Sequence, residues 1–293
     1  MSKFHYLQLD VFAASRGGGN PLGVVVDARE WTDTDMQGFA SWTNLVETTF
    51  LLPPTNPQAS YRLRIFTPSN EIPFAGHPTI GSAYAALHSG FAQAHDGMLM
   101  QECGAGLLPI RLHEANGEHA LFVKAPASRI VAAADPGALL RSVLASQALG
   151  ALPPALVEGG RRWWVVEFAD EAAVRRWQPD HAAIKALAVA DNCLGVCIFA
   201  RCANAPRELV VRAFPAGVGI VEDPASGAAN GLIAAWIAQS EPAGALARGY
   251  RVSQGREIGH DASITVRIDD DRAVWVGGTS DIVIDGTLRW PLV

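Results

Sequence analysis

The sequence predicts an α+β protein of two similar domains, each an open β-barrel wrapped around one central helix. Three observations point there. Strand-like runs recur along the whole 293-residue chain and outnumber the helical ones, two distant segments look like copies, and each copy carries a small-residue helix opened by a proline. The copies run from Arg64 to Leu87 and from Arg212 to Ala235. At an offset of 148 residues Phe66 falls on Phe214, Ile72 on Ile220, and Ala75-Gly76-His77-Pro78 on Asp223-Pro224-Ala225-Ser226. Two shorter pairs keep the same order: Asn20-Pro21-Leu22-Gly23-Val24 with Asn192-Cys193-Leu194-Gly195-Val196, and Leu108-Pro109-Ile110-Arg111-Leu112 with Ile264-Thr265-Val266-Arg267-Ile268. Such a duplication predicts equivalent loops facing a cleft shared by the two halves.

In chain order, apolar and β-branched runs predict strands over residues 4–12, 22–26, 48–52, 61–66, 98–101 and 107–112. The second half repeats the theme over 163–168, 194–200, 209–214, 264–268, 273–277 and 280–284. Trp31 to Thr43 reads as a helix with Thr32 or Asp33 as N-cap. Pro78 to His88 is the first central helix, with Ile80, Ala83, Tyr84 and Leu87 at helical spacing. Its counterpart is Ala228 to Gln239, flanked by Pro224 and Pro242. A further helix is expected over Pro136 to Ala148, and the halves are expected to span 1–126 and 127–293, with the terminal strand free to cross to the first half.

Composition removes several function classes. A net charge of -6 and a pI near 5.7, with basic residues scattered along the chain, argue against a nucleic-acid partner. No apolar stretch is long enough for a membrane span, and the first residues lead into a strand, so a cytoplasmic protein is expected. Cys103, Cys193, Cys197 and Cys202 lack the paired spacing of a zinc site and read as reduced structural thiols. The eight histidines are dispersed, so no metal is expected. Gly17-Gly18-Gly19-Asn20-Pro21 lacks the following helix that a dinucleotide fingerprint requires.

The loops at the two central-helix starts carry the chemistry. Phe74-Ala75-Gly76-His77-Pro78 and Glu222-Asp223-Pro224-Ala225-Ser226-Gly227 combine glycines, ionisable side chains and unpaired helix N–H groups, a combination suited to a carboxylate. Taken singly, Asp223 and Ser226 also suit helix caps, and His77 also suits a turn.

These loops belong to a larger set. Asp10-Val11-Phe12, Gly19-Asn20-Pro21-Leu22, Asn44-Leu45-Val46-Glu47-Thr48-Thr49-Phe50, Gly104-Ala105-Gly106 and Gln254-Gly255-Arg256-Glu257-Ile258-Gly259 complete it. In this set and order the chain resembles the PhzF-like phenazine-biosynthesis family, which has the diaminopimelate epimerase-like duplicated fold. The resemblance implies a cofactor-independent isomerase of a small anionic, carboxylate-bearing metabolite, with a trans-2,3-dihydro-3-hydroxyanthranilate-like substrate and a homodimeric assembly. It implies Glu47 as the acid/base that moves a proton, His77 and Asp223 as the groups that position and polarise the substrate, and Gly76, Ser226 and Gly227 as its binding residues. The family's Asp-Pro-Ala-Thr-Gly-Ser string reads here with Ser226 and Ala228, and Ala228 offers no side-chain hydrogen bond. The alternatives are an amino-acid racemase or epimerase and a non-catalytic binding member. Ala75 and Pro224 stand in the two loops where a racemase carries thiols, and Glu102-Cys103-Gly104 is a decoy for the racemase string.

Overall fold

The computed structural model describes residues 3–115, 118–133, 137–145, 147–203 and 206–291. The chain divides into two compact units, Met1–Lys124 with Gly277–Val293, and Ala125–Val276. The first unit contains β1 (Lys3–Val11), β2 (Asn20–Val26), α1 (Asp33–Thr43), β3 (Glu47–Leu52), β4 (Tyr61–Phe66), the two-residue β5 (Glu71–Ile72), α2 (Gly76–His88), β6 (Met98–Cys103), β7 (Gly106–Ala115) and β8 (Glu118–Lys124). Two parallel pairings, β2 with β3 and β4 with β6, need crossovers, and these carry α1 and α2. Thr32 and Asp35 form a capping box at the start of α1, and Asn44 ends it in the left-handed region, a conformation asparagine tolerates. Phe4, Trp31, Phe39, Phe50 and Phe66 form a buried aromatic cluster. A buried phenylalanine contributes about 2–3 kcal/mol of hydrophobic stabilisation.

The second unit runs β9 (Arg129–Ala133), α3 (Ala138–Leu144), β10 (Ala155–Gly159), β11 (Arg161–Glu167), α4 (Glu171–Arg176), α5 (His181–Ala190), β12 (Val196–Arg201), β13 (Leu209–Phe214), α6 (Gly227–Ser240), β14 (Gly249–Gln254), β15 (Ala262–Ile268) and β16 (Val274–Gly278). The last strand, β17 (Ser280–Arg289), lies antiparallel to β1 in the first unit. Leu232, Ile233, Ala234, Trp236 and Ile237 are all buried, so α6 is covered nearly all round, as a central helix must be.

Sheet order shows the duplication directly. The series β9-β10-β11-β12-β13-β14-β15 repeats the directions of β17-β1-β2-β3-β4-β6-β7. Phe66 faces Thr48 as Phe214 faces Val196, so the 148-residue offset holds across β3 and β4. The Leu108 to Ile264 match also holds, since Arg111 faces Met98 as Arg267 faces Gly249.

Two sequence matches are corrected. The loop after β13 is three residues longer than that after β4, because Ile65 pairs with Ile72 whereas its counterpart Ala213 pairs with Asp223. Ile72 therefore corresponds to Asp223, and the N-cap Ala75 to the N-cap Ser226. Gly76 then matches Gly227, and His77 matches Ala228. Asn20–Val24 lies in β2, the counterpart of β11, so its match to residues 192–196 fails. The segment before β12 instead matches the segment before β3: Asn44 (φ 53°) and Asn192 (φ 47°) are both left-handed, and Glu47 falls on Gly195.

The sequence reading missed β5, β8, β9, β10, β14, α4 and α5. The signal for α5 was present: Asp180 accepts from the Ala182 and Ala183 N–H groups, and Ile184, Leu187 and Ala188 are buried at helical spacing. The helix expected over 136–148 is α3, while Pro136 and Ser146 lie outside the described residues.

Candidate active site

Glu47 is the first residue of β3, two positions past the tight turn that Asn44 begins, and its side chain is buried. His77 is the second residue of α2 and is also buried. The structure brings them together: His77 Nε2 lies 3.3 Å from Glu47 Oε2. Burial pushes the imidazole down from 6.5 to about 3, so near neutral pH the ring is uncharged and this contact is no ion pair. A neutral imidazole beside a carboxyl group adds no charge to the site. The helix places Gly76 at its first position, after Ala75, which offers no side-chain cap. Gln101 Nε2 donates to Thr79 Oγ1 at 3.2 Å, and Tyr61 donates to Gln101 at 3.0 Å, tying the first turn of α2 to the sheet.

His77 gives the protein a pH dependence with a definite sign. The unfolded imidazole takes up a proton near 6.5, whereas the folded one resists down to about 3. Stability is therefore full above pH 6.5 and is lost as pH falls, by about 1 kcal/mol per pH unit. Denaturant midpoints measured from pH 7 to pH 5 are expected to fall, and His77→Gln is expected to flatten that slope. An unchanged slope in the variant removes His77 as its source.

In the second unit Asp223, Ser226 and Gly227 form a second cluster. Asp223 accepts from the Ala225 N–H at 3.2 Å, and its own N–H donates to the Ala213 carbonyl at 2.9 Å. Ser226 caps α6 by accepting from Ala229, which leaves its hydroxyl proton free to donate. Sequence reasoning assigned no role to Asn230 or Gln254. Gln254 donates to the Asp223 carbonyl at 2.8 Å and accepts from Ser226 N–H at 3.2 Å and from Asn230 Nδ2 at 3.0 Å. An asparagine in an otherwise small and apolar helix was the available signal. Ala228 is exposed where α2 carries His77, and Gly195 stands where β3 carries Glu47. A Cβ on Gly195 would lie 2.0 Å from the Phe214 carbonyl oxygen, at a φ of 148°.

The duplicated α+β fold is similar to that of a hydroxyproline epimerase from Agrobacterium vitis, with a TM-score of 0.63 at 13% identity, covering 98% of this chain and 92% of that one. Residues 9–286 match the Phenazine biosynthesis-like protein family, and the chain belongs to it. It is 34% identical over 277 residues to trans-2,3-dihydro-3-hydroxyanthranilate isomerase of Pseudomonas chlororaphis, covering 90% of each chain. It is 32% identical over 299 residues to antisense-enhancing sequence 1 of Schizosaccharomyces pombe, covering 98% of this chain and 99% of that one. The crystal structure of a PhzF-family phenazine biosynthesis protein from Bacillus anthracis superposes with a TM-score of 0.82 at 24% identity, covering 99% of this chain and all of the other. Relatives named as isomerases make this an isomerase family. No helix among the described residues is long and apolar enough to cross a membrane.

Proposed function

We propose that this protein is a cofactor-independent isomerase that moves a proton between carbon atoms of a small carboxylate-bearing metabolite. The observation that carries the reading is the buried Glu47–His77 contact, which has no counterpart at Gly195 and Ala228. Glu47 takes the proton from one carbon and returns it to another. Neutral His77, whose ring carries a single N–H, orients the carboxyl group. Asp223, the Ser226 hydroxyl and the Gly76 and Gly227 backbones are assigned to substrate binding. A two-base racemase needs an acid and a base on opposite faces of one carbon, and the duplicated positions supply only one carboxylate. The named activity of the Pseudomonas chlororaphis relative makes trans-2,3-dihydro-3-hydroxyanthranilate the first substrate to try.

The test is incubation with this compound in D2O, followed by NMR. Isomerisation with deuterium appearing at carbon supports a proton-transfer enzyme. A substrate that binds but is never converted or labelled would show a binding protein in place of an enzyme.

A further inference from the structure

Besides the Glu47–His77 contact, a second polar contact joins β3 to α2: the hydroxyl oxygens of Thr49 and Ser82 lie 2.8 Å apart. Thr49 donates to the Gly23 carbonyl at 3.3 Å, so its oxygen is left to accept from the Ser82 hydroxyl. Both side chains are fully excluded from water. About 7 Å of strand separates Glu47 from Thr49 and about 7.5 Å of helix separates His77 from Ser82, so the two contacts are spaced alike on the two elements. Gly81 lets the helix come close: a Cβ there would stand 2.6 Å from Leu22 and 2.7 Å from Val11. At 3.3 Å the Glu47–His77 contact is loose for a hydrogen bond, and its length follows from where the two elements sit.

The second unit has the same scaffold without the bond to the helix. Thr49 corresponds to Cys197, whose thiol likewise reaches the carbonyl of the matching residue on the neighbouring strand, Trp164, at 3.5 Å. Ser82 corresponds to Ile233, by the alignment that sets Ala75 on Ser226. Cys197 and Ile233 are also fully buried, so a central helix of this fold is seated on its sheet with no hydroxyl at this position. Apolar groups of matched shape can fill such a place at little cost, and stability alone does not call for a hydroxyl pair. A hydrogen bond adds direction: it holds near one separation, where apolar contact is non-directional and tolerates sliding. The unit that has this bond is the one that has the Glu–His pair, and the other carries Gly195 and Ala228 in the places of that pair.

We propose that Thr49 and Ser82 are positioning residues, whose hydroxyl bond fixes α2 along β3 and so sets the distance at which His77 meets Glu47. That this placement serves proton transfer rests on the isomerase reading above; that the hydroxyl pair sets it does not. Two variants of Thr49 separate hydrogen bonding from packing. Thr49→Val keeps the shape and removes the hydroxyl, whereas Thr49→Ser keeps the hydroxyl and removes a methyl group. Ser82→Ala breaks the same bond from the helix side and leaves Thr49 its bond to Gly23. The first readout is the nitrogen NMR spectrum of the histidine rings near neutral pH, with the His77 signals assigned by their loss in His77→Gln. Thr49→Val and Ser82→Ala are each expected to shift or double these signals, and Thr49→Ser to leave them in place. The second is turnover of trans-2,3-dihydro-3-hydroxyanthranilate, where Thr49→Val and Ser82→Ala are expected to lower kcat by about tenfold to a hundredfold with KM within about twofold, while Thr49→Ser keeps about half of kcat or more. His77 signals that stay put in both Thr49→Val and Ser82→Ala, or that move as far in Thr49→Ser, overturn the positioning role whether or not the substrate is converted. An unmodified protein that never converts it overturns the isomerase reading instead, and the ring signals still decide the role of the hydroxyl pair.

Discussion

Glu47→Gln is expected to lower kcat by about a thousandfold or more, at the upper end of what a positioned acid/base contributes, with little change in fold or ligand affinity. The exchange is nearly isosteric. A glutamine amide still meets His77 Nε2 at the distance the carboxyl group occupies, 3.3 Å, so the ring keeps its place. What is lost is the group proposed to accept a proton from carbon and give it back. The loss therefore falls on kcat and kcat/KM together, with a ligand Kd close to the original. Solvent-deuterium incorporation is expected to fall in step with turnover. Cys103→Ala is the matched control: its thiol lies at the end of β6, outside both helix-start loops, and activity is expected to persist. Turnover surviving in Glu47→Gln but lost in Cys103→Ala would transfer the chemistry to the thiol.

Arg212→Met is expected to destabilise the protein by about 3–5 kcal/mol, the range for breaking a buried ion pair from one side. Arg212 and Glu222 are nearly excluded from water, with side chains 5% and 4% exposed, and they meet in two hydrogen bonds of 2.9 and 2.8 Å. Arg212 also donates to the Val174 and Trp177 carbonyls at 3.1 and 2.6 Å and lies over the Phe214 ring at 5.0 Å. Removing the guanidinium strands a carboxylate and two carbonyl oxygens together. The melting temperature is expected to drop by roughly 10 °C. The first unit repeats the device with Arg64, Glu71 and Phe66, but there the partners Asp33 and Glu71 are 84% and 43% exposed. Water can replace the lost bonds, so Arg64→Met is expected to cost about 1 kcal/mol or less. Equal losses in the two variants, read from denaturant unfolding, would contradict the role given to burial.

The same comparison shows what the sequence could reveal. Arg-x-Phe recurs at a constant spacing, and so do the strands around it, because strand pairing fixes register residue by residue. The reading went astray at the loop after Phe214. A three-residue insertion costs a surface loop little and leaves no mark in composition, yet it moved the apparent partner of His77 from Ala228 to Ala225. Asn44 and Asn192 could have corrected the other failed match, that of residues 20–24 with 192–196, since both follow a helix in the left-handed region. The Glu47 position was legible from the resembling string around it. Its contact with His77 was not, because thirty residues of chain separate the two and only the packing of α2 against β3 joins them. The roles of Asn230 and Gln254 were hidden for a similar reason: each is an ordinary amide until the fold places the other beside it.

Gly195 bears on how this scaffold can diverge. Duplication begins with two copies of every group, and a half that has lost a side chain can usually regain it by a single substitution. Here the way back is closed by the main chain, because the Phe214 carbonyl occupies the space a Cβ would need and the backbone has settled into a conformation that resists one. A descendant requiring a second base would first have to rebuild that turn, or draw the base from elsewhere, for example the exposed Ala228 at the start of α6. The glycine at residue 195 thus acts as a barrier: neutral drift alone is not expected to place a carboxylate there to match Glu47, and new chemistry has to arise at other positions.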